Sequence, residues 1–328
     1  MVWCGARTAP AQPIQMREVR QNLLATCLPS DTQGWMVGEL GRIFRTDDGA
    51  KSWTRQDAGT KRPFLSLACI DANSAWASTT QGTMYHTVDA GKTWSKVDTG
   101  SDKHVFTLKF PTALRGHGGG DFGRMIHTED GGKTWTKSQV PIDIALPESA
   151  LDTGVDPGDV NLYGLSYGTP DLTWLVGEFG IGMHSTDGGL TWKQQKTPVE
   201  TTLFGVYFKD AHSGWIVGGD ATLLHTEDGG LTWMPQHSPV SARPLFDVMV
   251  SGQTGWIVGE SGTMLKSNDG GMSWQLQEIP IQLAARWIRS VFLTGGGKGL
   301  AVGAEGLVFS IDGSATERLV QARGDRRS

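Results

Sequence analysis

HTEDGGKTW, residues 127–135, decides the fold, because close copies of it recur along the chain. The shared core is Ser/Thr-x-Asp-x-Gly-x-x-Trp. Asp48, Asp89, Asp130, Asp187, Asp228 and Asp269 each sit in a copy that ends in Trp, with Ala50 replacing the glycine in the first. A seventh copy, Ser310-Ile311-Asp312-Gly313, keeps Asp312 but has no Trp. Successive aspartates are 41, 41, 57, 41, 41 and 43 residues apart. A fixed period of this length marks a repeat architecture.

Working outward from each box, two short apolar runs joined by a Gly-bearing turn precede it, as in GWMVGELGRIFRT (34–46) and GWIVGESGTMLKS (255–267). That is a hairpin signal. Another β-like run lies further upstream, such as LLATCL (23–28) or LFGVYF (203–208), and a fourth follows the box, such as WTKSQ (135–139). Four short strands per repeat make a propeller blade. The expected fold is therefore all-β, a seven-bladed propeller over 14–322 with tails at 1–13 and 323–328. Each box is the turn between the third and fourth strands. Its Asp accepts backbone N–H bonds from its own turn. The box Trp and the Trp that opens the second strand (Trp35, Trp76, Trp174, Trp215, Trp256) pack at the seams between blades. Closure of the seventh blade falls to Ile14–Val19 from the N-terminus, or alternatively to Glu317–Gln321.

Composition agrees with many tight turns and packed pleated surfaces: 45 glycines and 13 tryptophans among 328 residues. A net charge of −5 excludes bulk electrostatic attraction for nucleic acid. No apolar run is long enough to span a bilayer. Three cysteines make no disulfide framework, and Cys27 and Cys69, in apolar runs, read as buried free thiols. Ala9-Pro10-Ala11-Gln12 resembles the tail of a signal peptide, without the basic and apolar regions that precede one.

Two segments break the pattern. The long spacing places an insertion at 136–161, whose stretch 141–161 carries five acidic residues and no basic one. Long loops on compact scaffolds are often functional. In the third blade RGHGGGDFG (115–123) puts His117 where a Trp stands elsewhere, which reads as a degenerate strand rather than a phosphate loop, since no helix follows.

Catalytic and metal chemistry find little support. His86, His127, His184 and His225 share the position just before a box, so they are spread around the ring and cannot converge on one ion. No metal or other cofactor is expected. A retaining sialidase would need an arginine cluster and a Tyr nucleophile paired with Glu. Tyr85, Tyr163, Tyr167 and Tyr207 are the tyrosines available, and no Arg-Ile-Pro signature is present. One register does look purposeful. The residues leading into the innermost strands are Gln21, Arg62, Lys103, Val160, Thr201, Arg243 and Arg286, four of them basic in an acidic chain. They would ring the channel mouth opposite the boxes, beside hairpin turns carrying Glu39, Glu178 and Glu260. They are either solvated rim charges or a docking face whose cations receive a partner's carboxylates.

The repeated G-W-x-V-G-x-x-G-x-[IM]-x-x-[TS]-x-D-G-G-x-T-W closely resembles the photosystem II stability and assembly factor family of Asp-box (BNR-type) propellers, over roughly 20–315. That resemblance implies a non-enzymatic protein whose photosynthetic relatives bind a membrane-protein precursor through an arginine-rich face. Arg62, Arg243 and Arg286 are the nearest counterparts, with Lys103 beside them. Relatives of this kind are commonly exported, which suggests a periplasmic or similar location, with the cytoplasm as the alternative. The expected function is a scaffold that binds a protein partner and helps assemble or stabilise a larger complex. The alternatives are a glycan-binding or glycoside-hydrolysing propeller and a generic interaction scaffold.

Overall fold

Alternating apolar residues in runs of about five, each stopped by Gly, Asn, Asp or Ser, build short antiparallel strands that cannot bury both faces alone. The computed structural model describes residues 19–142, 159–311 and 318–320. It contains seven four-stranded antiparallel sheets, each formed by four strands consecutive in sequence. Blade 1 is Leu23–Cys27, Gly34–Gly38, Arg42–Thr46 and Thr54–Gln56; the innermost strands of blades 2 to 7 begin at Phe64, Val105, Leu162, Leu203, Leu245 and Ile288. The propeller and its seven blades are thus as the repeats imply.

The core is a set of seams. Seven apolar clusters are present among the described residues, and each is shared by two neighbouring blades. The second-strand tryptophans Trp35, Trp76, Trp174, Trp215 and Trp256 are the largest fully buried side chains. The indoles of Trp35, Trp76, Trp174 and Trp215 reach from their own blade toward the next one's box. Trp174 Nε1 donates to the Gly229 carbonyl at 3.0 Å, and Trp215 Nε1 to Gly271 at 3.0 Å. Trp35 works through a relay: its Nε1 donates to Gln56 at 3.1 Å, whose amide donates to Ala90 O at 2.8 Å. A Cβ added at Gly132, Gly230 or Gly271, each at positive φ, would run into the indole of Trp76, Trp174 or Trp215. The box glycine is therefore needed for close approach as well as for its turn.

Within the boxes, each aspartate does what was expected and more. Asp130 Oδ1 accepts the Thr134 N–H at 2.9 Å and the Thr128 hydroxyl at 2.8 Å, while Oδ2 accepts the Thr134 hydroxyl at 2.6 Å. The Thr128 hydroxyl also accepts the Gly132 N–H at 2.8 Å. The same set recurs at Asp48, Asp89, Asp187, Asp228 and Asp269. The hydroxyls of Thr134 and Ser273 hold the carboxyls of Asp130 and Asp269 down to about 2. Asp312 lies outside the described residues.

In blades 1 to 6 the residue before the box lies over its own blade's second-strand aromatic. His86, His184 and His225 lie on Trp76, Trp174 and Trp215 with ring centroids 4.0, 4.8 and 4.9 Å apart. Arg45 covers Trp35 at 4.2 Å. These histidines are used one per blade, as shields for an indole.

Three sequence expectations need correction. Cys27 and Cys69 are joined in a disulfide, with Cα atoms 6.0 Å apart, and are not free thiols. Their separation of 42 residues is about one repeat, so both fall near the ends of adjacent innermost strands. The third blade is not degenerate. Gly116–Gly120 is a buried strand paired on both sides, and His117 fills the tryptophan's place against Gly189 of the next box. Finally, the place beside the third strand of blade 7 (Val308–Ile311) is taken by Arg318–Val320, which selects the C-terminal alternative of the two closures; residues 14–18 of the N-terminal alternative lie outside the described residues. The N-terminal segment still contributes Val19, which is buried in the seam between blades 7 and 1. Most of the 136–161 insertion, residues 143–158, and most of both tails lie outside the described residues.

Because the disulfide ties two blades, the Cys27→Ser/Cys69→Ser double variant should lose about 2–4 kcal/mol in denaturant unfolding. Adding reductant to the wild type should reproduce the loss. His117 gives a pH-dependent term. It is buried, its Nδ1 is 2.7 Å from the Tyr167 hydroxyl, and burial lowers its pKa to about 4. The unfolded chain takes up that proton near pH 6.5, so stability should fall as pH drops from about 6.5 to 4. Melting temperatures at pH 7 and pH 5 should differ more for the wild type than for His117→Phe.

Candidate functional site

The two ends of the propeller are built differently. At one end the boxes repeat almost unchanged. At the other, the second-to-third-strand hairpins and the lead-in residues meet. Glu39, Glu178 and Glu260 lie there as expected, their N–H groups donating to the carbonyls of Asn22, Asn161 and Pro244 at 3.0, 3.1 and 2.9 Å. In blades 3 to 6 the hairpin also reaches forward: the N–H groups of Gly123, Gly180, Ala221 and Gly262 donate to the carbonyls of Val160, Thr201, Arg243 and Arg286 in the following blade. The lead-in backbone is thus a latch, which leaves its side chains free to differ.

Of the four basic lead-in residues, Arg62 and Arg243 are exposed. Among the described residues the Arg62 side chain makes one hydrogen bond, to the Thr80 carbonyl at 3.3 Å, and Arg243 makes no ion pair. Lys103 is half-buried, 3.6 Å from Asp102, with its ammonium 4.9 Å from the centre of the Phe122 ring. Arg286 pairs with Glu305 at 2.6 Å. Two of the four cations are thus largely unengaged and two are drawn into local contacts. Surface pairs of this kind contribute about 0–1 kcal/mol, so a partner's carboxylate could replace them at little cost.

A Tyr–Glu pair of the sort a sialidase uses does occur: the Tyr163 hydroxyl donates to Glu178 at 3.1 Å. Its surroundings point to structure. Glu178 also accepts the Asn161 backbone N–H at 2.9 Å and the Asn161 side-chain amide at 3.2 Å. Glu39 binds Asn22 likewise in blade 1, and Asp121 binds the His104 N–H at 2.7 Å in blade 3. The carboxylate is a repeated cap. Burial and the Glu178 charge push Tyr163 up to about 12, the wrong direction for a nucleophile.

Below this mouth runs a channel with a cavity of about 280 Å³, lined by the innermost strands of the blades. Its charged lining residues are Lys109, Asp247 and Arg289. Side chains brace the wall from blade to blade: Ser66 Oγ accepts the Leu108 N–H at 3.0 Å, Ser166 Oγ the Phe208 N–H at 2.9 Å, and Asp247 Oδ2 the Val291 N–H at 2.9 Å. Sequence reasoning missed these channel residues. The signal was present in the aligned innermost strands, whose second position is apolar or aromatic in six blades and Arg289 in the seventh.

The family described as Photosynthesis system II assembly factor YCF48 matches the chain over residues 6–103, 148–236 and 190–284. Among solved structures, "YCF48 bound to D1 peptide" is 18% identical with a TM-score of 0.71, over 98% of this chain and 100% of that one. YCF48 from Cyanidioschyzon merolae is 17% identical with a TM-score of 0.71, over 89% of this chain and 96% of that one. The GH74 xyloglucanase from Xanthomonas campestris is 12% identical with a TM-score of 0.69, over 94% of this chain but 55% of that one. At these identities the structures establish likeness of fold. No curated protein matches the sequence.

Proposed function

The chain belongs to the photosynthesis system II assembly factor YCF48 family, and from that premise we propose that it is a non-enzymatic scaffold that binds a protein partner on its lead-in face. The partner we favour is a subunit or precursor of a membrane-associated complex, by analogy with the relative bound to D1 peptide. The observation that carries this reading is the contrast between the two ends. The box end is occupied by its own hydrogen bonds, while the lead-in end presents Arg62 and Arg243 with little to engage them, and Arg286 in a pair that is easily exchanged. Guanidinium groups on a rigid rim suit acidic side chains or a chain terminus.

Glycoside hydrolysis has fold neighbours, but the Tyr163–Glu178 pair is not free for that chemistry, since Glu178 is held as a cap. Turnover of a fluorogenic sialoside or of xyloglucan would overturn the non-enzymatic reading. For the binding face, the test is affinity capture from membrane extracts of the native organism, with crosslinking to name the captured subunit. The triple variant Arg62→Glu/Arg243→Glu/Arg286→Glu should lose at least tenfold in affinity for that subunit with its melting temperature nearly unchanged. Undiminished binding would remove the basic face from the function.

A further inference from the structure

The second residues of the seven innermost strands are Leu24, Leu65, Phe106, Tyr163, Phe204, Phe246 and Arg289. They form one ring around the channel, and four of them make a continuous aromatic arc. Ring centroids are 5.4 Å apart for Phe106 and Tyr163, 5.6 Å for Tyr163 and Phe204, and 5.5 Å for Phe204 and Phe246. Arg289 comes from blade 7 and lays its guanidinium 5.0 Å from the Phe246 ring centre and 5.8 Å from that of Phe204. It makes no hydrogen bond or ion pair with any described residue. A guanidinium set among aromatic rings with its N–H groups unmatched is a donor array waiting for an acceptor.

The acceptor is not Asp247. That carboxylate takes the Val248 N–H at 3.0 Å on Oδ1 and the Val291 N–H at 2.9 Å on Oδ2, so it is committed to bracing blades 6 and 7. Burial pushes its pKa up, and Lys109 on the far side of the channel pulls it back down. Tyr163 is held by Glu178, and Tyr207 carries no charge in the neutral range, being pushed up to about 12 by burial. Lys109 and Arg289 outnumber Asp247 among the charged groups of the lining, an excess that suits an anion. The cavity, at about 280 Å³, lies at the small end of ligand pockets, which run from roughly 300 to 1,000 Å³.

We propose that the channel binds a small organic carboxylate, its planar apolar body lying against Phe106, Tyr163, Phe204 and Phe246 and its carboxylate accepting the free N–H groups of Arg289. Stacked guanidinium with in-plane donors is the geometry that takes a carboxylate bidentately. The site is separate from the rim arginines, which are carried on loops, so it stands or falls independently of partner docking.

Calorimetry and saturation-transfer NMR on the full chain test it with cinnamate and benzoate as probes, and with acetate and benzyl alcohol as controls lacking the apolar body or the charge. The aromatic acids should bind saturably, and both controls at least tenfold more weakly. Arg289→Met should lower cinnamate affinity tenfold or more, while Lys51→Gln on the box end should leave it unchanged. If Arg289→Met does not fold, Arg289→Lys decides, because it keeps the charge, loses the fork and should still weaken binding several-fold. No saturable binding by the wild type at millimolar probe, or equal binding by an Arg289 variant, overturns the proposal. So does a tripeptide ending in Phe that binds tenfold more tightly than cinnamate, which would assign the cradle to a polypeptide terminus.

Discussion

The contact on which the propeller depends is an indole set beneath a glycine of the neighbouring blade. Trp174 and Trp215 bury their rings completely and still satisfy their N–H groups, because the facing carbonyls belong to the next box. A buried indole with an unmatched N–H would be penalised, and a side chain on the glycine would exclude the ring. The box fixes the position of that glycine through its Asp and two hydroxyls. The box motif is therefore a device for joining blades, and its spacing of about one blade follows from that role. Blade 3 shows what the contact requires. His117 replaces the indole, fits against Gly189 and takes a hydrogen bond with Tyr167 instead of a box carbonyl.

Closing the ring poses a separate problem, since blades 1 and 7 are each made of consecutive strands and, among the described residues, no strand is exchanged between them. Their seam is held by side chains. Val19, Leu23 and Met36 pack with Leu300, Val302 and Val308, and the Thr294 hydroxyl donates to Asp31 at 2.5 Å. Val19 closes over Gly306 much as lead-in residues close over hairpin glycines elsewhere in the ring. The Cys27–Cys69 bridge adds a covalent tie at the adjacent seam, between blades 1 and 2.

Structural and variable positions fall at opposite ends of the molecule. Boxes repeat because the Asp carboxylate and the two flanking hydroxyls of the motif are engaged within their own turn. On the lead-in end the backbone of blades 4 to 7 is latched by the preceding blade, and side chains escape that constraint, so Arg243 and Arg286 can occupy positions held by Val160 and Thr201 in other blades. The same freedom applies on the channel wall, where Arg289 stands in a ring of apolar residues.

The sequence by itself determined the blade number, the four-stranded repeat, the role of Asp130 and its counterparts, and the burial of the second-strand tryptophans. These follow from periodicity and local turn chemistry, and every repeat restates them. It also located the basic lead-in residues, because they share one offset from the boxes. Only the tertiary structure decided which rings stack within a blade, as His86 does on Trp76, which terminal strand completes blade 7, and what depends on neighbours about one repeat or more apart: the Cys27–Cys69 bridge, the seating of His117 against Gly189, and the convergence of Arg289 with Phe204 and Phe246. A strand's sequence says which of its faces is apolar. Which side chains meet across a channel or a seam depends on how the seven blades turn about their common axis, and no single repeat carries that information.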